Sequence, residues 1–132
     1  MKIRAPETIV IDDGDVPNAV FATFGESQES HLRFAVDMLG KTHLLGIWRD
    51  RDCDVSGTDM VKWLRSTSSH GLIVDEVADS AIGFWNRMID IGLVDSWAEE
   101  RFEGSAIPVD IDSFDVLEKR EPQSRSLRRG FS

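Results

Sequence analysis

The stretch from Asp75 to Gly92 constrains this chain more than any other. Ala78, Ala81, Trp85 and Met88, with Ile82 and Ile89, recur at intervals of three and four, the spacing that gathers apolar side chains on one face of an α-helix. Asp75 is placed to cap the start, and Glu76 and Asp79 suit the positive end of the helix dipole. Gly92 can take the left-handed conformation that ends a helix and turns Leu93 back onto its stripe. A helix that buries Trp85 needs a surface to bury it against, so a core is expected around residues 76–91.

The remaining periodicities fill in around that helix. Leu32, Ala35, Val36 and Leu39, between Ser30 and Gly40, predict a helix over 30–39. Thr42 can cap a second over 42–51, with Leu44, Leu45, Ile47 and Trp48 as its apolar face. A strand competes there, because the run is short and Gly46 weakens a helix by about 1 kcal/mol. Ser56 or Thr58 can cap a third over 57–66, with Met60, Val61 and Leu64 inward. Thr8 to Ile11 reads as a strand-like run inside an amino-terminal arm, residues 1–26. The alternation in Leu93–Ala98 and Ser105–Ile111 predicts a two-stranded ribbon. The fold expected is mainly α with a small β-hairpin: a domain over 27–118 between the arm and a basic flexible tail, 119–132.

The chain has 132 residues, enough for one compact domain, and its 41% hydrophobic content supports a core despite a net charge of −9. No apolar run approaches the ~20 residues of a membrane span, and the basic amino terminus leads into Glu7 and Asp12 instead of a signal core. The expected setting is cytoplasmic. Cys53 is the only cysteine, so neither an internal disulfide nor a thiolate-rich zinc cage can form. Residues 119–132 carry five basic residues against Glu121 alone, a local +4, which leaves −13 of the total −9 on the first 118 residues. A basic tail on an acidic body can reach toward phosphate or fold back on the body's own field.

The order of helices and ribbon, with Met38-Leu39-Gly40-Lys41 leading into His43–Trp48, Ser56-Gly57-Thr58-Asp59-Met60 opening the next helix, and Met88-Ile89-Asp90-Ile91-Gly92-Leu93-Val94 closing the long one, resembles a winged helix-turn-helix domain of the HxlR/ArsR/MarR type. The resemblance covers roughly residues 30–111. It implies a transcriptional regulator that binds double-stranded DNA as a homodimer, paired through the arm and helix 30–39. The helix over 76–91 would enter the major groove, with Ser80, Asn86 and Arg87 on its exposed side, Lys62 and Arg65 near the backbone, and Arg101 in the wing. Asp75, Glu76, Asp79, Glu99, Glu100 and Glu103 oppose that role, since phosphates repel them.

Other chemistry finds little support. Asp50-x-Asp52-x-Asp54 imitates a calcium loop, but Val55 stands where the sharp turn needs glycine and Val61 where a bidentate glutamate belongs. His31, His43 and His70 are scattered, as surface or helix-end histidines would be, without zinc-site spacing. No nucleophile elbow and no phosphate loop occurs, so no enzyme activity, cofactor or metal is expected. Phe84 beside Trp85 marks a partner surface if it is exposed. Two alternatives remain. One is an acidic protein–protein interaction module, such as a mimic of nucleic-acid charge or an inhibitor of a nucleic-acid enzyme. The other is an α/β fold in which 43–48 and 72–76 are strands.

Overall fold

A computed structural model describes residues 6–13, 16–25, 29–102 and 106–111. Among them run seven strands in one sheet: β1 (Glu7–Asp13), β2 (Val16–Phe24), β3 (Ser30–Asp37), β4 (Thr42–Trp48), β5 (Leu72–Val74), β6 (Ser96–Trp97) and β7 (Ala106–Ile107). Two α-helices, α1 (Gly57–Thr67) and α2 (Ile82–Asp90), complete the element list, with a 3-10 turn over Asp79–Ala81. Strands β1 to β4 form an antiparallel meander, after which β5 adds parallel to β4 and β6 parallel to β5. A parallel neighbour requires a crossover, and α1 and α2 supply the two.

Period-two alternation builds the sheet. Val20, Ala22 and Phe24 of β2, Leu32 and Phe34 of β3, Leu44 of β4 and Leu72 and Val74 of β5 join Met60, Val61 and Leu64 of α1 and Trp85 and Met88 of α2 in one core, so both helices lie on one face. A second, smaller cluster of Val16, Ala19, Ala35, Leu45 and Ala106, with Phe102 against it, covers part of the opposite face. The chain after β6 reaches that face and ends in β7, which pairs with Val36 and Asp37 of β3. Asn18, at φ +62°, turns β2 out of register there, and its Nδ2 donates to the Ala106 carbonyl at 3.2 Å.

This architecture overturns the mainly α, winged helix-turn-helix expectation. Segment 30–39 is a strand and its turn, not a helix. As β3 is central and covered on both faces, Leu32 and Phe34 point to the helices while Ala35 joins the other cluster, and the sum imitates a three-four spacing. Within segment 42–51, Thr42–Trp48 is strand β4, in place of the expected helix and as the competing strand reading over 43–48 had it. Arg33 pairs with Gly46 and Phe34 with Leu44, which leaves Leu45 as a bulge, so Leu44 and Leu45 are both buried on opposite faces. The ribbon over Leu93–Ile111 does not form: β6 pairs with β5, and β7 with β3. With it goes the wing. Residues 7–13 and 16–24, inside the expected arm, are the first two strands of the sheet. The basic tail, residues 119–132, lies outside the described residues.

Of the helices expected, that over 57–66 forms, and that over 76–91 forms in part. In α1 the Ser56 Oγ accepts from Asp59 N at 3.1 Å, and Met60, Val61 and Leu64 are the buried positions. Helix α2 buries Trp85 and Met88, but it starts at Ile82 and not near Glu76, because Asp75 is used elsewhere. Gly92, at φ +84°, donates to Ile89 O while Leu93 N donates to Met88 O, the paired bonds of a Schellman ending. Among the described residues no helix is long and apolar enough to cross a membrane.

Candidate functional site

Strand β5 is only three residues long, and its brevity creates the site. It pairs with Thr42, His43 and Leu44 of β4, and Asp75 N donates to Leu44 O at 2.9 Å as the last bond between the two. Beyond that point the chain leaves the sheet through Glu76, a non-glycine residue at φ +52°. A cleft of about 220 Å³ opens between Leu44–Ile47 on one side and Val74–Ala78, Ala81 and Trp85 on the other. Its position, outside the carboxyl ends of parallel strands, is where open α/β sheets commonly hold ligands.

Asp75 stands at the floor of the cleft and is 6% exposed. One carboxylate oxygen faces His43 Nδ1 at 3.3 Å, and the other accepts from Phe102 N at 2.6 Å. His43 Nε2 lies 2.9 Å from Asp37 Oδ2, while Asp37 Oδ1 accepts from the backbone N–H of Leu39 and Lys41. The Phe102 ring stacks on the imidazole with centroids 4.3 Å apart. Burial by itself would push the His43 pKa down, but the carboxylates of Asp75 and Asp37 outweigh it and hold the imidazole above the usual histidine value. Burial pushes Asp37 up, yet the bonds from His43 and from the Lys41 and Leu39 amides bring it below the usual carboxyl value.

An imidazole with both nitrogens committed to carboxylates has none left to take a proton from a substrate. The cluster is a clamp. It ties Asp37 at the β3–β4 turn, Asp75 at the end of β5 and the Phe102 ring of the strap to one imidazole beside the cleft. The expectation of a surface or helix-end histidine fails at His43, which is buried in the sheet. No local spacing announces the clamp, since its partners lie six residues before and 32 after. Among the described residues no group of three or more His, Cys, Asp and Glu side chains is arranged to hold a metal.

The surroundings are strongly acidic. The loops at the carboxyl ends of β4, β5 and β6 bring Asp50, Asp52, Asp54, Glu76, Asp79, Glu99 and Glu100 to one end of the sheet. Three arginines share these loops: Arg49 donates to the carbonyls of Val55 and Cys53, Arg101 pairs with Glu76, and Arg51 is exposed between Asp50 and Asp52.

The residues expected to touch DNA lie on α1, the 3-10 turn, α2 and the segment after β6. Lys62 is exposed on α1, and Ser80 is exposed in the 3-10 turn. Arg65 bonds Asp95 at 3.0 Å, and Asp95 is held below the usual carboxyl value by the Leu72 amide and by Arg65. Asn86 accepts from the Trp97 indole at 3.0 Å, and Arg87 lies over the Phe84 ring. Phe84 is half-buried, edge-on to Trp85 at 4.8 Å, so the condition set for a partner surface there is not met. Arg101 belongs to the strap below the cleft and not to a wing. No protein-family model, curated protein or solved structure matches this chain.

Proposed function

We propose that this chain is an acidic protein-binding module, not an enzyme, which receives a cationic segment of a protein partner at the carboxyl ends of its parallel strands. One observation carries the reading: besides Asp75, the loops at that end of the sheet carry seven carboxylates against three arginines, and a cleft lined in part by Glu76 opens there beside the Asp75–His43 contact. Like charges concentrated on one rim attract an opposite partner and speed its encounter. The same field repels phosphate, and Arg65, Arg87 and Arg101 already serve partners within the chain, which argues against duplex DNA as the ligand. Self-pairing of two copies has its best seat along β1, an outer strand of the sheet on which Ile9 and Val10 are exposed.

Fluorescence anisotropy with a labelled oligolysine and a labelled mixed-sequence DNA duplex, each at about 20 and about 200 mM salt, tests the reading. Oligolysine should bind and weaken as salt rises, and DNA should stay free at both. DNA binding at low salt without oligolysine binding overturns it.

A further inference from the structure

Strand β4 pairs with β3 from Thr42 to Trp48 apart from the Leu45 bulge, but β5 covers only Thr42–Leu44 on its other side. Among the described residues no strand meets Leu45–Trp48 there, so about 13 Å of strand edge, four residues at ~3.3 Å each, is left uncovered by β5, and Leu45–Ile47 line the cleft. Exposed edges of this kind are normally shielded or used. This one is inside the sheet, beside a hollow too small for a drug-sized ligand but wide enough for one large side chain. The walls of the hollow are Leu44, Ile47, Val77, Ala81 and Trp85, and Trp48 closes the open stretch at 61% exposure. Glu76 lines the hollow, and the exposed carboxylates of Asp79, Glu99 and Glu100 lie on the loops that follow β5 and β6 at the same end of the sheet.

We infer that the partner adds as a short extended strand along Leu45–Trp48, in the track that β5 vacates, with one apolar side chain in the hollow and flanking lysines or arginines on the acidic rim. Three features select that occupant. The β4 edge that meets no strand among the described residues calls for the N–H and C=O groups of an extended chain, the apolar walls call for an aliphatic or aromatic anchor, and the carboxylates call for cations on either side of it. Trp48, exposed at the end of the track, can take a cation on its ring face. A folded domain with a flat basic surface would satisfy the charges and leave the edge and the hollow unused. The inference rests on the protein-binding reading and specifies its ligand.

The test is an amide NMR titration of the full chain with a capped heptapeptide that alternates lysine with valine and has leucine at its centre. Two controls accompany it: the same peptide methylated on alternate backbone nitrogens, which keeps charge and side chains but removes strand donors, and the variant Ala78→Trp, which fills the mouth from an exposed position. Saturable shifts should concentrate at Leu45–Trp48 and Val77–Ala81, and each control should weaken binding by about tenfold or more. Shifts spread over the acidic surface, with methylation and Ala78→Trp making no difference, overturn the strand-addition inference and leave the acidic module standing. No shifts up to about 1 mM peptide at low salt overturn both.

Discussion

Replacing His43 by leucine asks how much of the fold depends on its two carboxylate bonds. Leucine fills much of the space and gives Phe102 something to pack on, but it strands Asp75, which is 6% exposed, and leaves Asp37 facing it without a cation. Removing one partner of a buried charge pair costs about 3–5 kcal/mol. Asp37 keeps its bonds from the Leu39 and Lys41 amides, so the loss is smaller at that end and we expect a total of about 3 kcal/mol. That is a large share of the about 5–15 kcal/mol that typically holds a domain together. Urea unfolding near pH 6.5, followed by tryptophan fluorescence and circular dichroism, measures it. The pH dependence has a definite sign. His43 is raised in the folded state, so its contribution is fully present below the ordinary histidine pKa and is lost as pH rises through the raised value. Asp37 is lowered, so its contribution is present above the ordinary carboxyl pKa and is lost as pH falls through the depressed value. Stability should peak between these limits and then fall on the alkaline side by about 1.5–3 kcal/mol, the worth of one hydrogen bond to a charged group. Asp37→Asn should flatten that alkaline fall, because an amide can donate to Nε2 of a neutral ring that still donates from Nδ1 to Asp75. A His43→Leu cost under about 0.5 kcal/mol, or wild-type stability that does not fall between about pH 6 and 9, refutes the clamp.

Other expectations are simpler to check. Ser56→Ala removes the side-chain acceptor for Asp59 N and should lower stability by about 1 kcal/mol in thermal unfolding, with a neutral result excluding the cap. Gly92→Ala meets no atom within 4 Å, so its cost is purely the left-handed backbone, about 1 kcal/mol, and a neutral result would mean α2 ends otherwise. Trp85→Ala should cost about 3–5 kcal/mol, since the indole is both core and cleft wall, and a loss under about 1 kcal/mol would place it outside the core. Val10→Lys on the outer strand should shift any self-association toward monomer in sedimentation while leaving peptide binding at the cleft intact.

Local physics made some of this molecule legible. Helix α1 is readable because one turn of apolar spacing, Met60, Val61 and Leu64, coincides with a capping serine at Ser56. The end of α2 is readable because Gly92 serves a backbone conformation that the next two residues reinforce. The run Thr8–Ile11 does form part of a strand, β1. What failed was nonlocal. Strand β3 reads as a helix because burial on both faces hides its alternation, and the missing observation was Phe34, two residues from Leu32 on the same face. Asp75 looks like a helix cap because its side chain suits one, but its oxygens are spent on His43 and on the Phe102 amide, contacts that only the assembled sheet creates. The extended character of 93–98 and 105–111 is visible in part as β6 and β7, whereas their partners are not, since pairing is chosen by topology and both segments go to other strands. The cleft had no sequence signal at all: it exists because β5 stops at Val74 while β4 continues to Trp48.

The claim beneath both the clamp and the cleft is that His43 carries a proton on each ring nitrogen and holds Asp37 and Asp75 together. Nitrogen NMR of the imidazole at the ordinary histidine pKa of about 6.5 tests it directly. Two N–H groups on His43, in a ring more than half protonated at that pH, are expected. A neutral ring with one bare nitrogen would show that the two carboxylates are not bridged by a cation, and the clamp beside the binding cleft would lose its basis.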